Sequence, residues 1–412
     1  MLSVAEAQRL ILDTTQVIGI EQVLLTSALH RVLGEDGVAG LSHPPWDNSA
    51  MDGYAVRAQD LVGASRSTPV SLKVVQEIQA GRVSEHHLGP GEAASIMTGA
   101  PIPPGADAVV EVEQTQSEGT TVKVMREMDV GRNIRKQGEN VREGERVLTR
   151  GTVLRAPEIG LLALLGRSCI PVYRRPEVAI LATGDELADL DERPQVGQIY
   201  NSNGYALWAQ VKEAGGEPRL LGIVRDHKEM FRERLKMGLS SDVALISGAV
   251  SVGRYDFARE VMAELGLKIH FWTVAMRPGH PLVFGTYDSK LIFGLPGNPV
   301  STMITFEEFV RPALLKMAGC QVFYPPVVDA VLMEGFKNRP GRTHFVRAVV
   351  EYLDGEYRVR PAGPQGSGIL MSMVKANCLI VLPPDREKME VGEKVKVQLL
   401  GSRWGWRQDP GY

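Results

Sequence analysis

From residue 176 onward, apolar runs of strand length alternate with stretches whose apolar positions recur at helical spacing. Val178 to Ala182, Leu220 to Val224, Val243 to Ile246, Lys268 to Thr273 and Leu291 to Phe293 are the strand candidates. Between them, Leu207 and Val211 mark one face of a helix over 202–214, and Phe231, Leu235 and Leu239 one face of the next. Gly215-Gly216 closes the first helix, and Asp226-His-Lys-Glu229 reads as a capping box opening the second. Phe257, Val261 and Leu265 predict a third, with Asp256 as its N-cap. Repeated strand–helix units of this length imply a mostly parallel sheet covered on both faces, an α/β/α layer.

The texture differs on either side. Ser3-Val-Ala-Glu6 is a capping box, and Ala7, Leu10 and Ile11 continue an amphipathic helix. Over 70–150, short β-type runs (Val70 to Val75, Ala108 to Val112, Thr121 to Met125) alternate with Gly and Pro, the pattern of a compact β-rich module. Pro157 opens a short helix that Gly166 ends. Beyond about residue 325, Thr343 to Val350, Tyr357 to Arg360, Cys378 to Leu382 and Lys394 to Leu399 read as strands, with Asp354-Gly355 a two-residue hairpin turn. A small β barrel or sandwich follows from that spacing.

Composition narrows the class. With 412 residues, 44% hydrophobic and 23% charged, the chain is expected to be a soluble globular protein of two to four domains. A net charge of −3 offers no basic excess for nucleic acid. No apolar stretch is long enough to cross a membrane, and the first residues lack the pattern of a signal peptide. Three cysteines, Cys169, Cys320 and Cys378, are too scattered for a disulfide framework and fit a reducing cytoplasm.

Three loops leave the carboxyl ends of predicted strands: Thr183-Gly-Asp-Glu186, Ser247-Gly-Ala-Val-Ser-Val-Gly253 and Gly294-Leu-Pro-Gly-Asn298. In a doubly wound sheet those ends share one edge, and Asp226 joins them. Together they offer backbone donors for phosphate oxygens, carboxylates for Mg²⁺ and amides for a heterocycle. Each alone reads equally as a tight turn. Arg277-Pro-Gly-His-Pro281 is a rigid cationic loop suited to a small oxyanion, or else a turn with an exposed Arg. Asp47, Asn48, Ser49 and Asp52 sit in a loop, 41–56, where Pro44-Pro45 excludes regular structure; a ligand surface and a satisfied turn network are the two readings. Gly91 to Gly105 forms a second rigid polar loop, and Asn133 to Asn140 a cluster of cations and amides. The chain has neither Gly-x-x-x-x-Gly-Lys-Ser/Thr nor Gly-x-Gly-x-x-Gly entering a helix, which disfavours ordinary nucleotide hydrolases and nicotinamide enzymes.

Five motifs in this order resemble the molybdopterin molybdenumtransferases, the family of bacterial MoeA and the gephyrin E domain. They are Pro44-Pro-Trp-Asp-Asn-Ser-Ala-Met-Asp-Gly-Tyr-Ala-Val56, Ile96-Met-Thr-Gly-Ala-Pro101, Thr183-Gly-Asp-Glu-Leu187, Ser247 to Gly253 and Gly294-Leu-Pro-Gly-Asn-Pro-Val300. The resemblance implies a four-part, α/β and β multidomain fold: a helical domain of 1–45 with 146–172, an inserted β-rich domain of 46–145, a three-layer molybdopterin-binding domain of 173–320, and a carboxy-terminal β barrel of 321–404. It implies an enzyme that inserts molybdate into adenylylated molybdopterin and, with Mg²⁺, releases AMP. By the same resemblance, Asp52, Thr98, Glu186, Asp226 and Asp256 are expected to be catalytic, with Asp226 and Asp256 holding the metal. Asp185, Ser247, Gly248, Ser251, Gly253, Pro296, Gly297 and Asn298 are expected to bind the pterin substrate; Arg277, His280, Pro281, Arg347 and Ser367 are expected to bind molybdate. A cytoplasmic homodimer is implied, with contacts to the molybdopterin adenylyltransferase and to acceptor molybdoenzymes.

Four positions depart from the family pattern. Arg277 and His280 stand where two Lys are usual, Asn140 where an Asp is usual, and Ala249 where a Gly is usual. An Arg keeps the charge but presents a planar fork, and a His titrates. These changes leave open a tungstate-inserting paralogue or a pterin-binding scaffold without turnover. An adenylyltransferase sharing the α/β domain is a further alternative, which the extra terminal modules disfavour.

Overall fold

The computed structural model describes residues 1–248 and 256–401, apart from the side chains of Asp256 and Phe257. Two compact units emerge: one gathers Met1–Gln22, His30–Gly34 and the chain from Pro171, the other Val23–Leu29 and Glu35–Ile170.

The first unit is built on a six-stranded sheet of β1 (Glu177–Thr183), β2 (Glu217–Val224), β3 (Val243–Ser247), β4 (Lys268–Thr273), β5 (Pro281–Tyr287) and β6 (Lys290–Leu295). Its order is β2-β1-β3-β6-β5-β4, with β1, β2, β3 and β6 parallel and β5 antiparallel to both of its neighbours. Helices α1 (Ser202–Glu213), α2 (Lys228–Gly238), α3 (Asp256–Glu264) and α4 (Pro299–Thr305) cover it. Alternation along the strands divides the core in two. Val178, Ile180, Val243, Leu245 and Phe293 pack with Leu207 and Val211 of α1 and with Val300 and Ile304 of α4. Ala179, Leu181, Ala244, Ile246 and Ile292 pack with Phe231 and Leu235 of α2 and Val261 of α3. Each fully buried Leu, Ile or Phe contributes about 1.5–3 kcal/mol, so the layer has little freedom to shift. The expected α/β/α layer is present.

One cap differs from expectation. α2 is capped by His227, whose Nδ1 accepts the Met230 N–H at 3.4 Å, and not by Asp226. The backbone N–H of Asp226 is instead bonded to Asp185 Oδ1, at the exit of β1, which holds it outside the helix. At the amino terminus, the capping box forms as read: Ser3 Oγ accepts from Glu6 N–H at 3.2 Å and Glu6 Oε2 accepts from Ser3 N–H at 2.8 Å.

The same unit carries a closed five-stranded barrel of β7 (Val327–Leu332), β8 (Thr343–Leu353), β9 (Glu356–Pro361), β10 (Cys378–Leu382) and β11 (Lys394–Leu399). The ring runs β8-β9-β7-β11-β10 and returns to β8, around Leu332, Val346, Ala348, Val359, Ile380 and Val397. Asp354 and Gly355 both take positive φ, 51° and 84°, between the paired residues Leu353 and Glu356, the two-residue hairpin turn their types favour.

The second unit holds another six-stranded sheet, ordered Ala108–Glu111, Gly53–Val56, Glu92–Ile96, Val70–Ile78, Thr121–Val124, Thr115–Glu118. Two of these strands correct the sequence reading, which left Gly53–Val56 and Glu92–Ile96 inside polar loops. Gly53–Val56 is paired on both sides, and a Cβ on Gly53 would stand 1.9 Å from Val110 O. Gly is required there by the close approach of the neighbouring strand, not by a turn.

Candidate functional site

β1, β3 and β6 are adjacent, and their register sets Ala182 beside Ser247 and Ser247 beside Leu295. Their exits are therefore level, and the loops that leave them meet. Thr183 Oγ1 donates to Ser247 O at 3.1 Å, and Gly248 N–H donates to Leu295 O at 3.1 Å. Gly248 has φ +103°, and a Cβ on it would lie 2.5 Å from Thr183 O. A Cβ on Gly297 would lie 3.8 Å from Gly248 Cα. The three loops are thus in mutual contact through glycines, which lets peptide groups approach a ligand closely.

Asn203, in the first turn of α1, ties two of them: its Nδ2 donates to Ser247 Oγ at 3.0 Å and to Gly297 O at 2.8 Å. Sequence reasoning missed this residue. Asn201-Ser-Asn-Gly204 signals a helix start, which Asn201 fulfils by accepting the Gly204 N–H at 3.0 Å, but nothing local marks the second Asn. Pro296 is buried, and its carbonyl accepts from Thr302 Oγ1 at 2.5 Å; Asn298 is the N-cap of α4 without a side-chain cap bond.

The acidic side of the crevice joins β1 to β2. Asp226 N–H donates to Asp185 Oδ1 at 3.0 Å, Arg225 Nη1 to Asp185 O at 2.9 Å, and Gly184 N–H to Val224 O at 3.1 Å. Glu186 is exposed, its carboxylate beside Gly184. Among the described residues, no three His, Cys, Asp or Glu side chains converge as a ready metal site. Ser251, Gly253 and Ala249 lie outside the described residues, as does the side chain of Asp256, whose backbone begins α3.

Of the cationic residues, Arg347 on β8 is fully buried. Its Nε donates to Ser372 Oγ at 3.1 Å and its Nη2 to Gly366 O at 3.1 Å, while Nη1 has no partner among the described residues. An unpaired donor on a buried guanidinium costs stability unless an anion takes it. Burial, together with the charge of Arg277, pushes its pKa down to about 10. The loop holding that guanidinium also carries Ser367, whose carbonyl accepts the Val300 N–H of α4 at 3.1 Å.

The short strand Met276–Arg277 pairs in parallel with β8, and its register sets Arg277 beside His344. Odd spacing along β8 puts His344 and Arg347 on opposite faces. Ser367 shares the loop at Arg347, and Arg277 sits by His344, near enough for its charge to act on Arg347 as well. Burial, then Arg277 and Arg347, lower the His344 pKa to about 4, so the ring is neutral at pH 7. Its Nδ1 carries the proton, because it faces Asn338 Oδ1 at 2.8 Å while Asn338 Nδ2 donates to Arg386 O at 2.7 Å. His280 likewise donates through Nδ1, to Val274 O at 3.0 Å, and Pro281 begins β5.

In the second unit, Asp52 Oδ1 accepts the Thr98 N–H at 2.6 Å and the Thr98 hydroxyl at 2.8 Å. The backbone bond first, then the hydroxyl, hold the Asp52 carboxyl below its usual range. Asp47 accepts from Lys136 Nζ and from Gln137 N–H, each at 2.8 Å, so Lys136 of the cationic cluster is internally paired and Asp47 belongs to a turn network.

A doubly wound sheet with a glycine-lined strand-end crevice, joined to a closed β barrel, defines the class of protein, and comparison narrows it. Residues 2–166 match the MoeA N-terminal region (domain I and II), residues 179–316 a probable molybdopterin binding domain, and residues 329–400 the MoeA C-terminal region (domain IV). The chain is 40% identical over 386 residues to the molybdopterin molybdenumtransferase of Nostoc sp., covering 92% of this chain and 88% of the relative. It is 39% identical over 395 residues to that of Bacillus subtilis, covering 94% and 92%. A crystal structure of the molybdopterin biosynthesis MoeA protein from Pyrococcus horikoshii superimposes with a TM-score of 0.82 at 34% identity, covering 97% of this chain and 100% of that one. The chain belongs to the MoeA family.

Proposed function

We propose that this protein is a molybdopterin molybdenumtransferase, which inserts molybdate into adenylylated molybdopterin and releases AMP in the last step of molybdenum cofactor synthesis. One observation carries the reading: the cradle of Ser247, Gly248 and Gly297 lies at the strand ends of a doubly wound sheet, in a chain 40% identical to an enzyme of that name. Ser247, Gly248 and Gly297, with Pro296 and Asn298 at the start of α4, take the pterin pyrophosphate. Arg347 offers Nη1 to the oxyanion beside Ser367. Arg277, with a planar fork in place of a Lys, adds positive charge near His344.

The oxygen donors at the crevice fit Mg²⁺, which binds through one or two carboxylates and keeps the rest of its shell for water and substrate phosphate. Asp226 and Asp256 would hold it, with Asp185 stapling the loop that carries Asp226. When bound, the ion offsets charge on the phosphates. Preorganised donors and cations then do most of the remaining work, because the step brings together anionic dithiolene, molybdate and diphosphate. Asp52 and Thr98 act as a second catalytic pair. The working form is a cytoplasmic homodimer; no helix among the described residues is long and apolar enough to cross a membrane.

The test is to incubate the full chain with adenylylated molybdopterin, Mg²⁺ and either molybdate or tungstate. AMP release with molybdenum in the product supports the reading. Faster turnover with tungstate would reassign the oxyanion, tight binding without AMP release would make the protein a scaffold, and, in a separate arm supplied with molybdopterin and ATP, ATP consumption would make it an adenylyltransferase.

A further inference from the structure

We propose that Asn203 is a positioning residue of the pyrophosphate pocket, locking the loop after β3 to the loop after β6 and setting the Ser247 hydroxyl as a donor to substrate. The inference rests on the function proposed above. Asn203 has two amide hydrogens, and both are engaged, one on Ser247 Oγ at 3.0 Å and one on Gly297 O at 2.8 Å. Gly297 O can only accept, so the orientation of the amide is fixed by chemistry. With Ser247 Oγ accepting from Asn203, its own O–H is kept as a donor for a further acceptor such as a phosphate oxygen. The Ser247 carbonyl is already taken by Thr183 Oγ1 at 3.1 Å, so the residue is held from both ends. The geometry also couples the loops: Gly248 and Gly297 are in contact, and among the described residues the amide bridge is joined across them by the Gly248 N–H to Leu295 O bond. Asn203 stands in the first turn of a twelve-residue helix, and its backbone is fixed by the Asn201 cap, so its side chain is held rigidly for this task.

A double-mutant cycle on the full chain tests this, with AMP release from adenylylated molybdopterin as the assay and thermal unfolding as the control. Asn203→Ala and Asn203→Asp are expected to raise KM for adenylylated molybdopterin about ten-fold, the loss of one hydrogen bond to a charged group. The KM for molybdate and the unfolding temperature should hold. In a Ser247→Ala background, Asn203→Ala should add less than a two-fold change, because the hydroxyl it orients is gone. Fully additive losses, or an unchanged KM in Asn203→Ala, would overturn the positioning role while leaving the enzyme assignment intact. A wild-type chain that neither binds nor cleaves adenylylated molybdopterin would overturn both.

Discussion

Glu308 makes the stability of this protein depend on pH near neutrality. It lies in a π-helical turn, Phe306–Val310, with 3% of its surface exposed. Its Oε1 accepts from Gln398 Nε2 of β11 at 2.7 Å and its Oε2 from Gln8 Nε2 of the amino-terminal helix at 3.3 Å. One carboxyl therefore links three segments distant in sequence. Burial raises its pKa most, the neighbouring Glu307 adds to the rise, and the Gln398 bond opposes it; the result is about 7. Glu307 is itself paired with Arg311 at 2.5 Å, and the charge of Glu308 also acts on Tyr324. The unfolded side chain ionises at 4.5, so between 4.5 and about 7 the folded protein keeps a proton that the unfolded chain has lost. The stabilisation is present in full below 4.5 and is lost as pH rises through about 7. A shift of that size is worth about 3 kcal/mol, most of which falls between pH 5 and 8. Glu308→Gln is isosteric with the protonated acid and should flatten this dependence, leaving the variant more stable than wild type at pH 8. Hydrogen exchange of residues 306–317 and of β11, followed from pH 5 to 8 in both proteins, measures the difference. Parallel profiles for the two proteins would refute the reasoning.

Two further substitutions test the crevice and the buried cation. Gly248→Ala places a methyl group 2.5 Å from Thr183 O at a φ of +103°; it should cost about 1–3 kcal/mol by thermal unfolding and reduce AMP release, and a variant as active and stable as wild type would mean that the loops do not need this close contact. Arg347→Lys keeps a charge but loses the fork that reaches Ser372, Gly366 and the open side of Nη1; KM for molybdate should rise about ten-fold or more with KM for adenylylated molybdopterin unchanged, and an unchanged molybdate KM would remove Arg347 from the oxyanion site.

Much of the fold was legible because the relevant signals are local. The apolar run at Val243–Ser247, the Ser3-x-x-Glu6 capping box and the Asp354-Gly355 turn are each decided by residues within a few positions of one another. The loops at Thr183, Ser247 and Gly294 could be assigned to one edge because parallel strands must all end on the same side. Gly53–Val56 and Glu92–Ile96 escaped notice because what makes them strands is pairing with neighbours, against turn-forming residues in their own sequence. Asp226 was misread as a cap for a similar reason: its backbone is held by Asp185, more than forty positions away in the chain.

By itself, then, the sequence determined the alternation of strand and helix, the edge on which the glycine loops gather and the family they belong to, because periodicity and turn chemistry act over a handful of residues. Only the tertiary structure decided which polar groups are engaged and which are left over. It gave Asn203 two loops to bridge, left Arg347 Nη1 buried without a partner among the described residues, set Arg277 beside His344, and sealed Glu308 away from water. Burial, register and the satisfaction of hydrogen bonds are properties of segments brought together from afar, and no local pattern encodes them.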